Sequence, residues 1–149
     1  MNTVVPVQQG RARCRVAPAA VALLQSARVG LAGAAEETGA CARYVAAHLA
    51  ALRAAAAVVA AQPPAEAPRR RGPRSVWELL PRVEPTLVEW AAFFAAGARK
   101  RAAAEAGLPQ AVSAREADDL LRDAETFVSL VEQALGVPAQ PLLPLRSAG

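Results

Sequence analysis

The chain has 149 residues, of which 54% are hydrophobic, only 4% are aromatic and about a quarter are alanine. This length suits a single domain that can bury its own core. Alanine is the best intrinsic helix former, and no segment alternates β-branched or aromatic residues with polar ones. The composition therefore predicts an all-α fold and argues against sheet-based architectures.

The content of cysteine and histidine limits the kinds of site that this chain can build. Two cysteines, Cys14 and Cys41, are too few for a disulfide framework, and no CxxC pair accompanies the single histidine. We therefore expect neither a structural zinc site nor another metal or cofactor.

No targeting or membrane segment is predicted. The first residues carry arginines but no apolar stretch ahead of a cleavage site, which argues against a signal peptide. The most apolar run, residues 40–61, is interrupted by Arg43, His48 and Arg53, which makes it a poor membrane span. We expect a cytoplasmic protein without a membrane partner.

The formal charge of +4 is distributed unevenly along the chain. Residues 1–74 hold ten arginines and three acids, whereas residues 75–149 hold seven bases and ten acids. This asymmetry fits an anionic partner for the first half, or two halves that face each other. Arginine dominates the bases, so the high isoelectric point alone is no evidence for nucleic acid.

We predict a flexible, basic tail over residues 1–16 and a helical bundle over residues 17–136. Pro18 suits the first turn of a helix, where its missing N–H costs nothing. The turn after this helix is marked by Gly39. The apolar stripe of this first helix, at helical spacing, consists of Val21, Leu24, Ala27, Leu31 and Ala35.

A second helix is predicted over about residues 40–61, and the proline-rich segment 62–74, QPPAEAPRRRGPR, ends it. We expect this segment to be a mobile, solvated loop of the bundle. Its arginines are candidates for binding phosphates, since each neutralised phosphate releases counterions. The alternative is a loop that only aids solubility. The candidate residues are Arg69, Arg70, Arg71 and Arg74.

A short helix follows, with Ser75 and Glu78 in the spacing of a capping box. The next helix is predicted over about residues 85–105 and sets Leu87, Trp90, Phe94 and Gly97 along one face. Near its end lie three consecutive bases. They either interact favourably with the negative end of the helix dipole or contact RNA. These bases are Arg99, Lys100 and Arg101.

The last long helix is predicted over residues 113–135. Ser113 and Glu116 form a capping box at its start, and Gly136 marks its end. Residues 137–149 are rich in proline and are expected to form a flexible tail. Four long helices and one short helix, joined mostly by short loops, favour an up-and-down bundle.

Arg43 and His48 in the second helix raise the question of a catalytic pair. At about 100° per residue, His48 lies roughly 140° around the helix from Arg43 and within the apolar stripe. Residues five apart are not neighbours on a helix surface, so one straight helix does not easily join the two. The alternative is a core histidine, bonded to a tyrosine or an acid of a neighbouring helix, beside a solvated arginine.

Besides the R-x4-H spacing, the chain contains the helical segments RYVAAHLAALRAAAAVVAA, SVWELL, EWAAFFAAGARKRAAAEAG and AREADDLLRDAETFVSLVEQAL. Together they resemble HEPN domains, over roughly residues 18–135. The likeness is to an actinobacterial HEPN subfamily of uncharacterised function in particular.

This resemblance implies an HEPN-like bundle and a homodimer. Many HEPN proteins are metal-independent endoribonucleases of toxin–antitoxin or phage-defence type, and some act with a nucleotidyltransferase partner. Their R-x4–6-H residues meet across the dimer interface. Carried over, Arg43 would stabilise charge on the phosphate, and His48 would act on the ribose 2′-hydroxyl or the leaving oxygen.

The chain also departs from the ribonuclease pattern. In ribonuclease HEPN domains the motif usually begins the last long helix, but here it lies in the second helix, and Tyr44 follows the arginine where a polar residue is usual. The first hypothesis is therefore a non-catalytic or regulatory HEPN module that contacts protein or RNA. The alternative is a metal-independent endoribonuclease that uses Arg43 and His48, and a third reading is a purely structural dimer.

Overall fold

The computed structural model describes residues 16–63 and 75–138 of the chain. These ranges contain five α-helices and no strand, so the predicted all-α fold of four long helices and one short helix is confirmed. The predicted basic tail, proline–arginine loop and C-terminal tail lie almost entirely outside the described residues. The helices are α1 (Pro18–Glu36), α2 (Ala40–Ala60), α3 (Val76–Val83), α4 (Val88–Glu105) and α5 (Ala114–Leu135).

Helix α2 lies at the centre of the bundle and contacts each of the other four helices. Its contacts with α1 and α5 are the most extensive. Six of its nine buried residues are alanines, whose small side chains let neighbouring backbones come close. The nine are Tyr44, Ala47, His48, Ala50, Ala51, Ala54, Ala55, Ala57 and Val58.

Within the described ranges, α2 is also the one helix that is long and apolar enough to cross a membrane by length and composition. Half of its most apolar window is buried inside the bundle. A core helix surrounded by four others requires the same apolar composition.

Capping side chains fix the starts of α3 and α5. The Ser75 hydroxyl accepts a hydrogen bond from the Glu78 backbone N–H at 3.3 Å. At α5 both halves of the predicted capping box form, because the Ser113 hydroxyl accepts from the Glu116 N–H and the Glu116 carboxylate accepts from the Ser113 N–H. Gly136 ends α5 in the left-handed conformation, at φ 66°.

The start of the fourth helix differs from its prediction. Residues Pro85–Leu87 form a 3-10 turn, and the α-helix begins only at Val88. Glu84 has φ −142° and ψ 85°, because a residue that precedes proline avoids the helical region. The proline therefore separates α3 from α4 and lets the chain change direction between them.

Aromatic side chains of α3, α4 and α5 form the core next to α2. Trp77 stacks on Phe94 at 5.2 Å between ring centroids, and Phe94 lies 5.1 Å from Phe127. Trp90 adds a fourth ring, 6.0 Å from Phe94. This cluster positions the face of α4 against His48, while the adjacent Phe93 stays 45% exposed.

Candidate functional site

His48 lies in the middle of α2 and is fully buried. Its Nε2 is 2.8 Å from the backbone carbonyl oxygen of Phe94, which only accepts hydrogen bonds, so Nε2 carries the proton and donates. Its Nδ1 is 3.2 Å from Nη1 of Arg101, which only donates. The partners therefore select the neutral tautomer, and both ring nitrogens are engaged.

Aromatic side chains surround the imidazole. Tyr44 stacks on it at 6.4 Å between centroids, and Trp77 and Phe94 meet it edge to face at 6.0 and 5.9 Å. This burial lowers the pKa of His48 below its ordinary value, and the positive charge of Arg101 lowers it further. The Phe94 carbonyl and the Glu105 carboxylate act in the opposite direction. His48 is thus uncharged at neutral pH.

Arg101 reaches His48 from α4 and is itself largely buried, with 22% of its side chain exposed. Its Nη1 donates to His48, and its Nε lies 3.6 Å from the Glu105 carboxylate, too far for a good hydrogen bond. Within the described residues this buried Nε has no hydrogen-bond partner. The guanidinium is therefore held mainly by its contact with the histidine and by the nearby charge of Glu105.

Gly97 lets α4 approach α2 closely at this point. A Cβ at this position would stand 2.9 Å from the Tyr44 hydroxyl oxygen and 3.5 Å from the His48 ring. Tyr44 is 5% exposed, and its burial raises the pKa of the phenol. The absence of a side chain at Gly97 thus makes room for the Tyr44–His48 stack.

Arg43, the other member of the predicted catalytic pair, has different partners. Its guanidinium donates to the backbone carbonyl of Glu37 at 2.6 and 3.2 Å and forms an ion pair with Asp118 of α5. Within the described residues no hydrogen bond joins Arg43 to His48, and the two share no partner. Arg43 instead connects the α1–α2 turn to the start of α5.

The three bases of α4 that were predicted to contact RNA lie in three different environments. Arg99 is exposed, Lys100 pairs with Glu116, and Arg101 contacts His48. The Lys100–Glu116 hydrogen bond raises the pKa of the amine and lowers that of the carboxyl. The arginines of the proline–arginine loop, Arg69, Arg70, Arg71 and Arg74, lie outside the described residues.

The contact between Arg101 and His48 was not predicted from the sequence. The predicted hydrogen-bond partner of the histidine was a tyrosine or an acid, whereas the structure supplies a backbone carbonyl and an arginine. A signal was present, because Arg101 follows Gly97 by four residues and so continues the predicted inward face of α4. Arginine at an inward position indicates a buried acceptor, and His48 provides it.

The arrangement limits the chemistry that His48 can perform. A general base needs a free lone pair within reach of the proton that it removes. The lone pair of Nδ1 accepts from Arg101, and the ring is inaccessible to solvent. Across residues 16–63 and 75–138, no group of three His, Cys, Asp or Glu side chains is placed to hold a metal ion.

The family model described as SAV_6107-like HEPN matches residues 34–132, which is 99 of the 149 residues. This range begins at the end of α1 and includes all of α2, α3 and α4 and most of α5. Neither a curated protein nor a solved structure is significantly similar to the chain. The expected resemblance to HEPN domains is confirmed, and because the match spans more than half of the chain, the protein belongs to the SAV_6107-like family of HEPN domains.

Proposed function

We propose that this HEPN domain is a non-catalytic interaction module, with a regulatory role exerted through its binding partner. One observation carries the proposal: His48 is fully buried and both of its ring nitrogens are hydrogen-bonded. To act on a ribose hydroxyl it would have to reach solvent and release Arg101. The histidine of the R-x4-H spacing is instead part of the core.

A protein partner is favoured over RNA. Binding of RNA needs exposed cations that can approach phosphates. Of the three bases near the end of α4 that were candidates for RNA binding, two are engaged within the domain and Arg99 alone of the three is exposed and unpaired within the described residues. The acidic outer face of α5 would also repel a polyanion.

The competing function is a metal-independent endoribonuclease that uses Arg43 and His48 across a homodimer. The two proposals make opposite predictions for cleavage of a mixed RNA pool in EDTA. We expect no cleavage above that of a mock purification from the wild-type protein. We also expect Arg43→Gln to cleave no less than its control, Arg115→Gln, which removes an arginine whose side chain is 91% exposed.

His48→Gln completes the experiment, because glutamine keeps a donor and an acceptor but cannot act as a base at neutral pH. All variants are melted in parallel, so that lost activity is separated from lost folding. Cleavage by the wild type that disappears in Arg43→Gln and in a folded His48→Gln, but not in Arg115→Gln, would contradict the interaction role and establish the ribonuclease.

A further inference from the structure

A groove of about 330 Å³ lies between α4 and α5 on the surface of the bundle, lined by Glu89, Trp90, Phe93 and Asp123. Phe93 is 45% exposed and Trp90 is half-buried, and their rings meet edge to face at 6.2 Å. Large aromatic side chains that stay exposed beside a concave surface are typical of binding anchors. The groove therefore combines an aromatic wall with two carboxylates.

Within the described residues, no ion pair or hydrogen bond engages the side chain of Glu89 or Asp123. Asp123 is half-buried, and its burial and the neighbouring charge of Asp119 raise the pKa of its carboxyl, while the charge of Arg122 lowers that pKa to a smaller extent. Arg122, the nearest base in sequence, donates to Asp119 at 2.7 Å instead. Among the residues that the structure describes, the two carboxylates of the groove are thus without a directly bonded cation.

We propose that this groove binds an arginine side chain presented by a partner polypeptide. A guanidinium carries the charge that the two carboxylates lack, and its flat face stacks on aromatic rings. Its parallel N–H groups match a carboxylate in a two-point hydrogen bond. Lysine has the same charge but neither the flat face nor the paired donors, so arginine is the favoured ligand.

This inference deepens the interaction role proposed above, because it names the chemistry of the partner, and it rests on that role. Its test nevertheless has a separate readout. Cleavage of RNA would contradict the interaction role whatever the groove binds, whereas a groove without affinity for arginine contradicts only the present inference.

The experiment titrates the ¹⁵N-labelled full-length protein with the peptide acetyl-Ala-Arg-Ala-amide. We expect saturable shifts of the backbone amides of Glu89, Phe93 and Asp123 and of the Trp90 indole N–H. The same peptide with citrulline in place of arginine keeps the shape and loses the charge. We expect it to bind roughly tenfold more weakly or not at all.

Variants assign the effect to the groove. Phe93→Ala and Asp123→Asn should each weaken binding by about three- to tenfold, since each removes one element of arginine recognition. Leu108→Ala, at a 54% exposed apolar residue after α4, and Glu36→Gln, at an exposed acid that ends α1, should leave binding unchanged.

Three results would overturn the inference. The first is equal binding of the arginine and citrulline peptides. The second is arginine binding that Phe93→Ala and Asp123→Asn leave intact in folded protein. The third is a wild-type dimer that Phe93→Ala dissociates in sedimentation at the concentration of the titration, because the groove would then be covered by a second copy of the chain.

Discussion

At the scale of single residues, the partners of His48 determine its charge. An isolated buried imidazole can exist in either tautomer, but a carbonyl at Nε2 and a guanidinium at Nδ1 allow only the neutral form with the proton on Nε2. A positive His48 would place a second charge beside Arg101 and leave two donors facing each other. The sequence could place His48 on the buried side of its helix, but the partners that define its protonation come from α4, 46 and 53 residues away.

This arrangement predicts a stability that falls with acidification. Because the pKa of His48 is lowered in the folded state, the unfolded chain binds a proton first as the pH drops below about 6.5. The contribution of His48 to stability is therefore constant above that pH and decreases from there toward the lower folded pKa. Between pH 7.5 and 5.0 we expect a loss of about 1–2 kcal/mol in the free energy of unfolding.

Urea denaturation of the wild type and of His48→Gln at both pH values measures this loss. The variant cannot titrate in this range, so its stability should change less than that of the wild type by about 1 kcal/mol. Asp123, whose raised pKa also contributes to pH dependence, is present in both proteins and cancels in the comparison. Identical pH dependence of the two proteins would show that His48 is not held neutral.

At the scale of helices, the sequence predicted where elements begin and end better than how they meet. Serine caps and the C-terminal glycine are local signals, so the boundaries of α5 followed directly from Ser113, Glu116 and Gly136. The predicted start of α4 was wrong by three residues. Glu84 precedes Pro85 and therefore avoids the helical backbone conformation, and this preference outweighed the continuous helical pattern of the sequence. Contacts between helices depend on side chains distant in sequence, and no single helix pattern specifies them.

The separation of α2 and α4 gives a prediction at this scale. Gly97→Ala should destabilise the bundle although alanine favours helices, because the new Cβ would lie 2.9 Å from the hydroxyl oxygen of the buried Tyr44. We expect a loss of about 1–3 kcal/mol in the free energy of unfolding, as for other overpacked cores. Gly33→Ala in α1 is the matched control. A Cβ there meets nothing within 4 Å, so stability should rise by about 0.5–1 kcal/mol.

A second substitution tests the cause. Tyr44→Phe removes the clashing oxygen, so Gly97→Ala should cost less in the Tyr44→Phe background than in the wild type, measured as a double-mutant cycle by urea denaturation. If the cost of Gly97→Ala were the same in both backgrounds, the close approach of the hydroxyl would not be its origin.

At the scale of the whole molecule, part of the charge asymmetry along the chain is resolved within one copy. Arg28 of α1 pairs with Glu132 of α5, and Arg43 of α2 pairs with Asp118 of α5. These pairs join the basic first half to the acidic second half. Two halves that face each other were one of the two alternatives that the sequence offered. Which arginines pair with which acids could not be predicted, because each pair spans at least 75 residues.

The two pairs should differ in their response to salt. Glu132 is 4% exposed and would lose its guanidinium partner in Arg28→Met, which we expect to cost about 1–3 kcal/mol. Asp118 is half-exposed, so Arg43→Gln should cost no more than about 1 kcal/mol from its ion pair. Raising the ionic strength to about 1 M screens exposed charges much more than buried ones.

Denaturation of both variants at low and high salt measures this difference. The cost of Arg28→Met should persist in high salt, while that of Arg43→Gln should shrink. Arg115→Gln, at a largely solvated arginine, is the control and should change stability little at either ionic strength. Equal sensitivity of the two costs to salt would mean that burial does not separate the pairs.

The alanine lining of α2 has a consequence for any attempt to map this protein by mutation. Six of the nine buried positions of its central helix already carry the residue to which scanning mutagenesis truncates. An alanine scan would therefore leave most of the surface that contacts the other four helices unchanged. The scan would wrongly indicate that α2 contributes little to the stability of the bundle. Only substitutions by larger side chains, such as Ala54→Val or Ala54→Leu, can show which of these contacts the domain requires. The quantity to measure is the loss of stability that each added side-chain volume causes.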